Sequence, residues 1–288
     1  MNNYIIFTDS ACDIKPCVLK EWGVPYINLS FRFEDEDKEY SNDGMDIGEF
    51  YDRMKKGGIA KTSAINPEAY MAAFEDILKQ GNDILCLAFS SGLSTTCNSA
   101  RIAADELKEK YPDRKIIVVD TLAASAGQGL LLYLTVQKKN SGYTLEQAAE
   151  YAESIKLNIC HWFSVDDLVY LKRGGRVSPA VAFVGTVLGI KPVLHVDNKG
   201  KLVSVSKARG RKAALNALVD KCGETGENIA EGTIFISQAD CIEDAEYVAE
   251  QIKTRFGGTV SIITDVGAVI GAHSGPGTIA LFFVGKER

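Results

Sequence analysis

A cluster of hydroxyl side chains without any charged residue follows an apolar run in the sequence LCLAFSSGLSTTCNSA (85–100). Ser90 to Thr96 supply five hydroxyl groups, whereas one helix N-terminus needs only one capping side chain. The free N–H groups and positive dipole end of a helix N-terminus accept anions such as phosphate or carboxylate. The pattern therefore indicates either an anion site or a set of structural caps.

Further polar residues follow the neighbouring predicted strands. In open α/β sheets ligands bind outside the carboxyl ends of the strands, so we expect these side chains to lie together. The aspartates among them could hold Mg²⁺, but we favour loop caps that receive hydrogen bonds from the hydroxyls. The set comprises Asp9, Ser10 and Asp13 after the first strand, Ser91, Gly92 and Ser94 after the second, Asp120, Thr121 and Ser125 after the third, and Thr62 and Ser63 in the loop expected before a helix at Pro67.

His273 lies in GAHSGPG (271–277), where the flanking Gly and Pro predict a loop that approaches a ligand. A surface or core histidine is the alternative interpretation. His161 and His195 lie within strand-like runs, and we expect them to be structural. Three histidines without HxH or HxxxH spacing argue against a metal site.

An enzyme stays open as the alternative function. The chain has no GxSxG elbow and no GxxxxGK[ST] loop, and GQGLLL (127–132) matches only part of a dinucleotide fingerprint. A hydrolase or phosphotransferase that uses Ser94, His273 and Asp9 or Asp120 could still assemble across the fold, because triads are recognised by geometry.

Short apolar runs alternate with helical patterns and predict an α/β protein with two domains. The runs 4–8, 84–89 and 115–120 predict a mostly parallel sheet, and helices are expected at 67–80, 96–111 and 124–139, giving a three-layer αβα domain over 1–158. A smaller α/β domain of α+β character is expected over 159–288, with a hairpin at Asn198-Lys199-Gly200.

An apolar helix is expected from about Pro179 in PAVAFVGTVLGI (179–190). Its apolar side chains are either core or one wall of an apolar tunnel between the domains: Val181, Phe183, Val184, Val187 and Leu188. A hydrocarbon wall with a few polar anchors suits a carboxylate on a long chain.

The composition bounds the remaining function classes. The 288 residues carry 32 Lys and Arg against 38 Asp and Glu, and this net charge of −6 argues against nucleic-acid binding. The start MNNYIIFTDSACD has neither a basic region nor a long apolar stretch, so we expect no signal peptide or membrane span. Seven scattered cysteines without CxxC predict reduced thiols of a cytoplasmic protein.

Taken together the motifs resemble the DegV family, the fatty-acid-binding proteins that serve bacterial fatty acid kinase. The resemblance spans almost the whole chain in the order FTDSACDI (7–14), KTSAINP (61–67), FSSGLSTTCNSA (89–100), VVDTLAASAGQG (118–129), VDDLVYLKRGGRVS (165–178), GIKPVLHVDNKGKL (189–202) and HSGPG (273–277). It implies one long-chain fatty acid buried between two α/β domains, with no other cofactor.

The resemblance also implies site residues and a partner. Thr62 and Ser94 would hold the carboxylate with His273 close by, and Asp9, Ser63, Ser91, Gly92, Asp120 and Ser125 would support them. The protein would perform no catalysis and would present the carboxylate to a separate, ATP-binding kinase for acyl-phosphate formation and phospholipid synthesis. Without an arginine clamp, neutral donors would leave the head group available.

Some residues depart from the family pattern or lie outside the expected site. The family usually carries TSQPSP and SSGLSGTYQSA, so head-group placement and chain preference could differ at Ala64, Ile65, Thr95, Cys97 and Asn98. Arg173 and Arg176 in KRGGR are candidates for docking the kinase or a phosphate, and a solvated helix end is the alternative. Contact with a membrane surface, if any, is expected to be transient.

Overall fold

The computed structural model describes residues 3–177 and 189–288. The apolar helix expected from Pro179 therefore lies outside the described residues. Within the described ranges, no helix is long and apolar enough to cross a membrane.

A four-stranded parallel sheet forms the centre of the first half of the chain. Its order is β2-β1-β6-β7, from β1 (Tyr4–Asp9), β2 (Tyr26–Ile27), β6 (Asp83–Ala88) and β7 (Ile116–Asp120). Every residue of β6 is buried, which explains why the sequence after Asp83 is a continuous apolar run rather than an alternating one. The mostly parallel sheet predicted from the sequence is confirmed.

Helices cover both faces of the parallel sheet. One face packs against α3 (Pro67–Lys79) and α4 (Thr96–Lys110), and the other against α5 (Ala126–Asn140) and α6 (Leu145–Ile155). Asn66 caps α3 and Thr144 caps α6 in a capping box with Gln147. The predicted αβα layers are therefore present.

The first half also contains a small antiparallel sheet that the sequence did not reveal. Its order is β4-β3-β5, from β3 (Ser30–Phe33), β4 (Tyr40–Ser41) and β5 (Ala60–Ser63). Two further helices lie beside these strands in the chain, α1 (Pro16–Glu21) and α2 (Ile47–Lys55). Strand β5 places Thr62 and Ser63, which were expected in a loop, in regular backbone.

A six-stranded sheet forms the second half in the order β10-β9-β8-β13-β11-β12. Its strands are β8 (Ile159–Ser164), β9 (Ile190–Val196), β10 (Leu202–Arg209), β11 (Ile234–Gln238), β12 (Val260–Asp265) and β13 (Ile279–Val284). All neighbouring pairs are antiparallel except β11 and β12. The predicted hairpin joins β9 to β10, with Gly200 at φ 70°.

The outer and inner faces of this six-stranded sheet pack differently. Helices α8 (Arg211–Thr225) and α9 (Ile242–Phe256) cover the outer face, while α5 packs against strands β8, β11 and β13 on the inner face. Since α5 also contacts β6, it lies between the two large sheets. The strands of the two sheets divide at Ile159, but the domain division at residues 158 and 159 stays a prediction.

Two short helices from the second half lie against each other near the small sheet. They are α7 (Val169–Arg173) and α10 (Ala268–Ser274), and α10 also packs against β5, β3 and α2. Tyr51 of α2 fixes the start of α10 by donating a hydrogen bond to the carbonyl of Val266 at 2.6 Å. Helix α10 thereby carries residues of the second half to β5 of the first.

Candidate functional site

A cavity of about 640 Å³ opens between the two halves of the chain. Both halves contribute to its lining, and apolar side chains such as Leu29, Phe89, Phe163, Val269 and Phe282 dominate it. The volume lies within the roughly 300–1,000 Å³ that small-molecule pockets occupy. The ligand position between the halves that the sequence led us to expect therefore coincides with a real cavity.

Most of the predicted site residues line this cavity, and the others lie outside its lining. The first group is Thr62, Ser63, Ser91, Ser94, Ser125, Arg176 and His273, together with the departures Ala64, Thr95 and Asn98. The side chains outside the lining are Asp9, Gly92, Asp120, Arg173, Ile65 and Cys97.

Four polar side chains form one connected group, which we call the polar cluster: Thr62, Ser94, Arg176 and His273. His273 Nε2 lies 2.8 Å from Thr62 Oγ1. Arg176 donates to the carbonyl of Leu93 at 3.1 Å and to that of Gly174, and Gly174 packs against the His273 ring. The cluster therefore joins β5, the loop before α4, the segment after α7 and α10.

His273 lies in the last turn of α10, so the predicted loop at this residue is wrong. Gly275 directly after the helix has φ 81° and ends it, as glycine commonly does. Burial, with a smaller contribution from the Arg176 charge, lowers the pKa of His273 to about 4. The imidazole is therefore neutral near pH 7.

Glycine at position 174 makes room for the His273 ring. A Cβ at Gly174 would lie 2.1 Å from His273 Nδ1, closer than any side chain could approach. His273 Nδ1 is buried and has no hydrogen-bond partner among the described residues. The first glycine of KRGGR is thus explained by a close contact within the polar cluster, which its sequence position did not reveal.

Ser94 lies in the loop two residues before α4, where the hydroxyl-rich sequence placed it. Its Oγ accepts a hydrogen bond from the Thr96 backbone N–H at 3.2 Å and lies 2.9 Å from Thr96 Oγ1. Thr95, the residue that immediately precedes the helix, makes no capping hydrogen bond through its side chain. The hydroxyls of this loop are therefore not all structural caps.

Arg176 is the residue whose placement differs most from the expectation of an uncharged site. Its guanidinium lines the cavity, and burial lowers its pKa. Both of its hydrogen bonds go to backbone carbonyls, and the structure shows no carboxylate within ion-pair distance of it in the described ranges. The idea that neutral donors alone face the ligand is corrected by this half-buried cation.

Two aspartates fix the loop that leads to Ser94 from behind. Asp9 accepts hydrogen bonds from the Phe89 N–H at 2.8 Å and from Gln128 at 3.2 Å, and Asp120 accepts from the Ser91 N–H at 3.1 Å. Burial raises the pKa of Asp9 to about 6. These carboxylates support the loop backbone, as the capping interpretation predicted, but the donors are backbone N–H groups and an amide rather than the loop hydroxyls.

Gly92 lets the β9–β10 hairpin approach the same loop. A Cβ at Gly92 would lie 2.5 Å from the Lys199 carbonyl oxygen and 2.7 Å from that of Gly200. Ser90 Oγ donates to the Gly200 carbonyl at 2.9 Å across this contact. The second half of the chain is thereby held against the loop that carries Ser94.

The described residues do not form a Ser-His-Asp triad. His273 Nε2 contacts Thr62 rather than Ser94, and the carboxylates of Asp9 and Asp120 accept from other groups. In the same ranges, no group of three or more His, Cys, Asp or Glu is placed to hold a metal ion. The side chains in place suit hydrogen bonding to an anionic group at one end of an apolar cavity.

Comparison with known proteins decides the family. A family model described as "Uncharacterised protein, DegV family" matches residues 3–286. The chain belongs to the DegV family.

The relatives of this DegV protein cover its whole length. A DegV domain-containing protein of Clostridium perfringens is 42% identical over 289 residues, which span 100% of this chain and 99% of the relative. A stearic acid-binding protein of Eubacterium ventriosum has a similar solved structure, with a TM-score of 0.88, 26% identity and 98% of each chain covered.

A second solved structure is that of a DegV family protein of Eubacterium eligens loaded with heptadecanoic acid. Its TM-score is 0.87 at 26% identity, with 98% of this chain and 100% of that chain covered. The α/β fold is confirmed by these similarities, and both neighbours are described with a fatty acid.

Proposed function

We propose that this DegV protein binds one long-chain fatty acid in the cavity between its halves and acts as a carrier rather than an enzyme. The observation that carries the proposal is a largely apolar cavity of about 640 Å³ whose polar cluster can hold a carboxylate. The fatty acids named for the two similar solved structures support the same ligand class.

The hydrogen-bond directions in the polar cluster suit a carboxylate. If His273 donates from Nε2 to Thr62 Oγ1, the Thr62 hydroxyl proton is free to point at the ligand. Ser94 Oγ accepts from the Thr96 N–H and keeps its own proton for the ligand when Thr96 donates to it. The hydroxyl groups of Thr62 and Ser94 can therefore both donate to a carboxylate, which only accepts hydrogen bonds.

Charge supports the same assignment. Arg176 is the only Asp, Glu, Lys or Arg among the described residues that line the cavity. An unpaired guanidinium in a half-buried place is stabilised when an anion joins it, and charge-assisted hydrogen bonds are about twice as strong as neutral ones. The carboxylate would thus neutralise the one cation of the cavity.

The proposal continues with presentation of the carboxylate to a separate kinase in the cytoplasm. That step rests on the motif resemblance, which implies transfer of the ATP γ-phosphoryl group to a carboxylate oxygen with release of ADP. Arg173 is exposed at the end of α7, three residues from Arg176, and is the candidate contact for the kinase. Ser94, Thr62 and His273 would hold the head group in place during transfer.

Lipid uptake tests this function directly. The delipidated protein should take up one stearic acid per chain in native mass spectrometry, and Ser94→Ala should weaken binding by roughly tenfold because one hydrogen bond to a charged group is lost. Ser154→Ala, on α6 and outside the cavity lining, is the matched control and should bind as the parent does.

Two results would contradict the proposal. One is a protein that neither carries lipid nor takes up stearic acid. The other is turnover of an ester or phosphate substrate that Ser94→Ala abolishes, which would establish the enzyme alternative instead.

A further inference from the structure

A second group of polar side chains interrupts the apolar wall of the cavity beside the first turn of α5. We call it the wall patch: Ser125, His161 and Ser237, all of which line the cavity. Ser125 Oγ lies 2.9 Å from Ser237 Oγ. The His161 ring lies beside the next helical residues, because a Cβ at Gly127 would be 2.2 Å from its Nε2. None of the three belongs to the polar cluster.

His161 carries an acceptor atom without a partner. Its Nδ1 lies 2.8 Å from the Ile159 carbonyl oxygen, which can only accept, so Nδ1 holds the proton. Burial holds the pKa of His161 well below its usual value, and the imidazole is neutral. Nε2 therefore presents a bare lone pair, and no described residue donates to it although the residue is only 1% exposed.

An unpaired acceptor in this position is costly. Leaving a buried donor or acceptor without a partner costs about 1–3 kcal/mol, whereas a cavity wall for a plain hydrocarbon chain needs no polar atom. The neighbouring wall residues Phe163, Ala280 and Phe282 show the apolar alternative on the same sheet face. Because the His161 ring lines the cavity and no described residue donates to its Nε2, a donor for this lone pair has to come from a ligand in the cavity.

The serine pair can both donate and accept. Ser125 donates to Asp13 Oδ2 at 2.5 Å, which leaves Ser237 to donate to Ser125 and to accept from the cavity. Burial raises the pKa of Asp13 to about 8, and a protonated Asp13 can donate to Ser125 instead. In that arrangement the Ser237 hydroxyl proton points to the cavity.

We infer that the wall patch binds a hydroxyl group on the acyl chain, so that hydroxylated long-chain fatty acids are ligands of this cavity. The inference rests on the proposed fatty-acid function. A hydroxyl can donate to His161 Nε2 and exchange hydrogen bonds with the serine pair, whereas a methylene can do neither and a keto group cannot donate. The chemistry of the wall therefore selects hydroxylated chains over plain ones.

A competition experiment measures this selection. The delipidated protein is titrated with stearic acid and with hydroxystearic acids that carry the hydroxyl at successive positions from mid-chain to the methyl end. We expect one position to bind roughly tenfold or more tighter than stearic acid, because one buried hydrogen bond is completed there. The other positions should bind no tighter than stearic acid.

Variants locate the effect through the ratio of the two affinities within each protein. His161→Leu should bring the ratio of hydroxystearic to stearic affinity to about 1, and Ser237→Ala should lower it. His195→Leu is the matched control, since His195 also has an unpartnered buried ring nitrogen but lies outside the cavity lining, and it should keep the parental ratio.

The outcomes separate the two proposals. If stearic acid binds but no hydroxystearic acid binds tighter, or if the preference survives both His161→Leu and Ser237→Ala, the hydroxyl inference is wrong and the carrier function stands. If neither kind of acid binds, the carrier function fails and the inference falls with it.

Discussion

The polar cluster and the sheet wall of the cavity are built in different ways. The polar cluster joins four separate segments, and each of its side chains is oriented by hydrogen bonds or close contacts with neighbouring backbone. The wall is one face of a continuous sheet, where Phe163 pairs with Ala280 and Ala280 pairs with Ser237 in register across three strands. The polar cluster depends on directed contacts, whereas the wall, apart from the wall patch, depends on shape.

Because the two regions are built differently, substitutions in them should weaken binding to different extents. The loss of one hydrogen bond in the polar cluster should weaken ligand binding without abolishing it, because the other donors and the Arg176 charge remain. The wall has no such redundancy, since a bulky side chain on a close-packed sheet face occupies space that the ligand needs and cannot move aside. Steric changes in the wall should therefore exceed single polar changes in their effect.

Blocking the wall is the strongest way to test this comparison. Ala280→Phe adds a ring between Phe163 and Ser237, in space that the acyl chain would occupy. We expect the affinity for stearic acid to fall by more than about 100-fold, because overpacking typically costs about 1–3 kcal/mol and the ring also displaces part of the acyl chain. Isothermal titration with delipidated protein measures the loss. A shorter acid such as octanoic acid should be affected less.

Ala208→Phe serves as a control of the same chemistry on strand β10, outside the cavity lining. It should retain stearic acid binding. Equal losses in the two variants, or unimpaired binding by Ala280→Phe with an unchanged melting temperature, would show that this sheet face does not contact the acyl chain.

Removing the charge of the polar cluster should have an intermediate effect. Arg176→Gln keeps a hydrogen-bond donor but loses the guanidinium, and we expect stearic acid affinity to fall roughly 10- to 100-fold because bonds to charged groups contribute about 1.5–3 kcal/mol. Binding of stearyl alcohol should change little, since it carries no charge. Competition between the acid and the alcohol measures the change in preference.

Arg173→Gln is the matched control. Arg173 is exposed and lies over the Tyr170 ring at 5.7 Å, outside the cavity lining, so the preference for the acid should persist. If Arg176→Gln still prefers the acid as strongly as the parent does, the guanidinium does not bind the carboxylate.

The loops of the first half were largely predictable from sequence. Buried parallel strands have continuous apolar sequences, and the polar residues after them must gather at one edge of the sheet. Ser94 in the loop before α4 and Asp9 at the carboxyl end of β1 lie where that argument placed them. Their chemistry is local to the strand end, so a short stretch of sequence is sufficient.

The wall and the charge were not predictable in the same way. His161 was predicted to be structural because its place on the cavity face depends on how β8 pairs with β13. The alternation of residues along β8 shows only which side chains share a face, and does not show that this face lines a cavity. Arg176 and His273 come together only through the packing of α7 on α10. The prediction of a loop at His273 was wrong because the glycine and proline residues that follow it end a helix and do not prevent the helix from forming.

Titration of His273 gives the smallest expected effect and reports on the electrostatics of the polar cluster. With a folded pKa of about 4 against 6.5 for the ordinary group, the folded protein binds this proton less tightly than the unfolded chain does. The stability contribution of the neutral ring is complete above pH 6.5 and is lost as the pH falls from there toward 4.

In the delipidated protein the His273 NMR signal, assigned with His273→Gln, should stay constant down to about pH 5. A bound carboxylate should raise the midpoint, because an opposite charge favours the protonated ring. A midpoint near 6.5 without ligand would show that the ring is not desolvated, and an unchanged midpoint on adding stearic acid would show that the ring is not close to the carboxylate. The polar cluster would then comprise Thr62, Ser94 and Arg176 without His273, and its contrast with the apolar wall would rest on one charge and two hydroxyl groups.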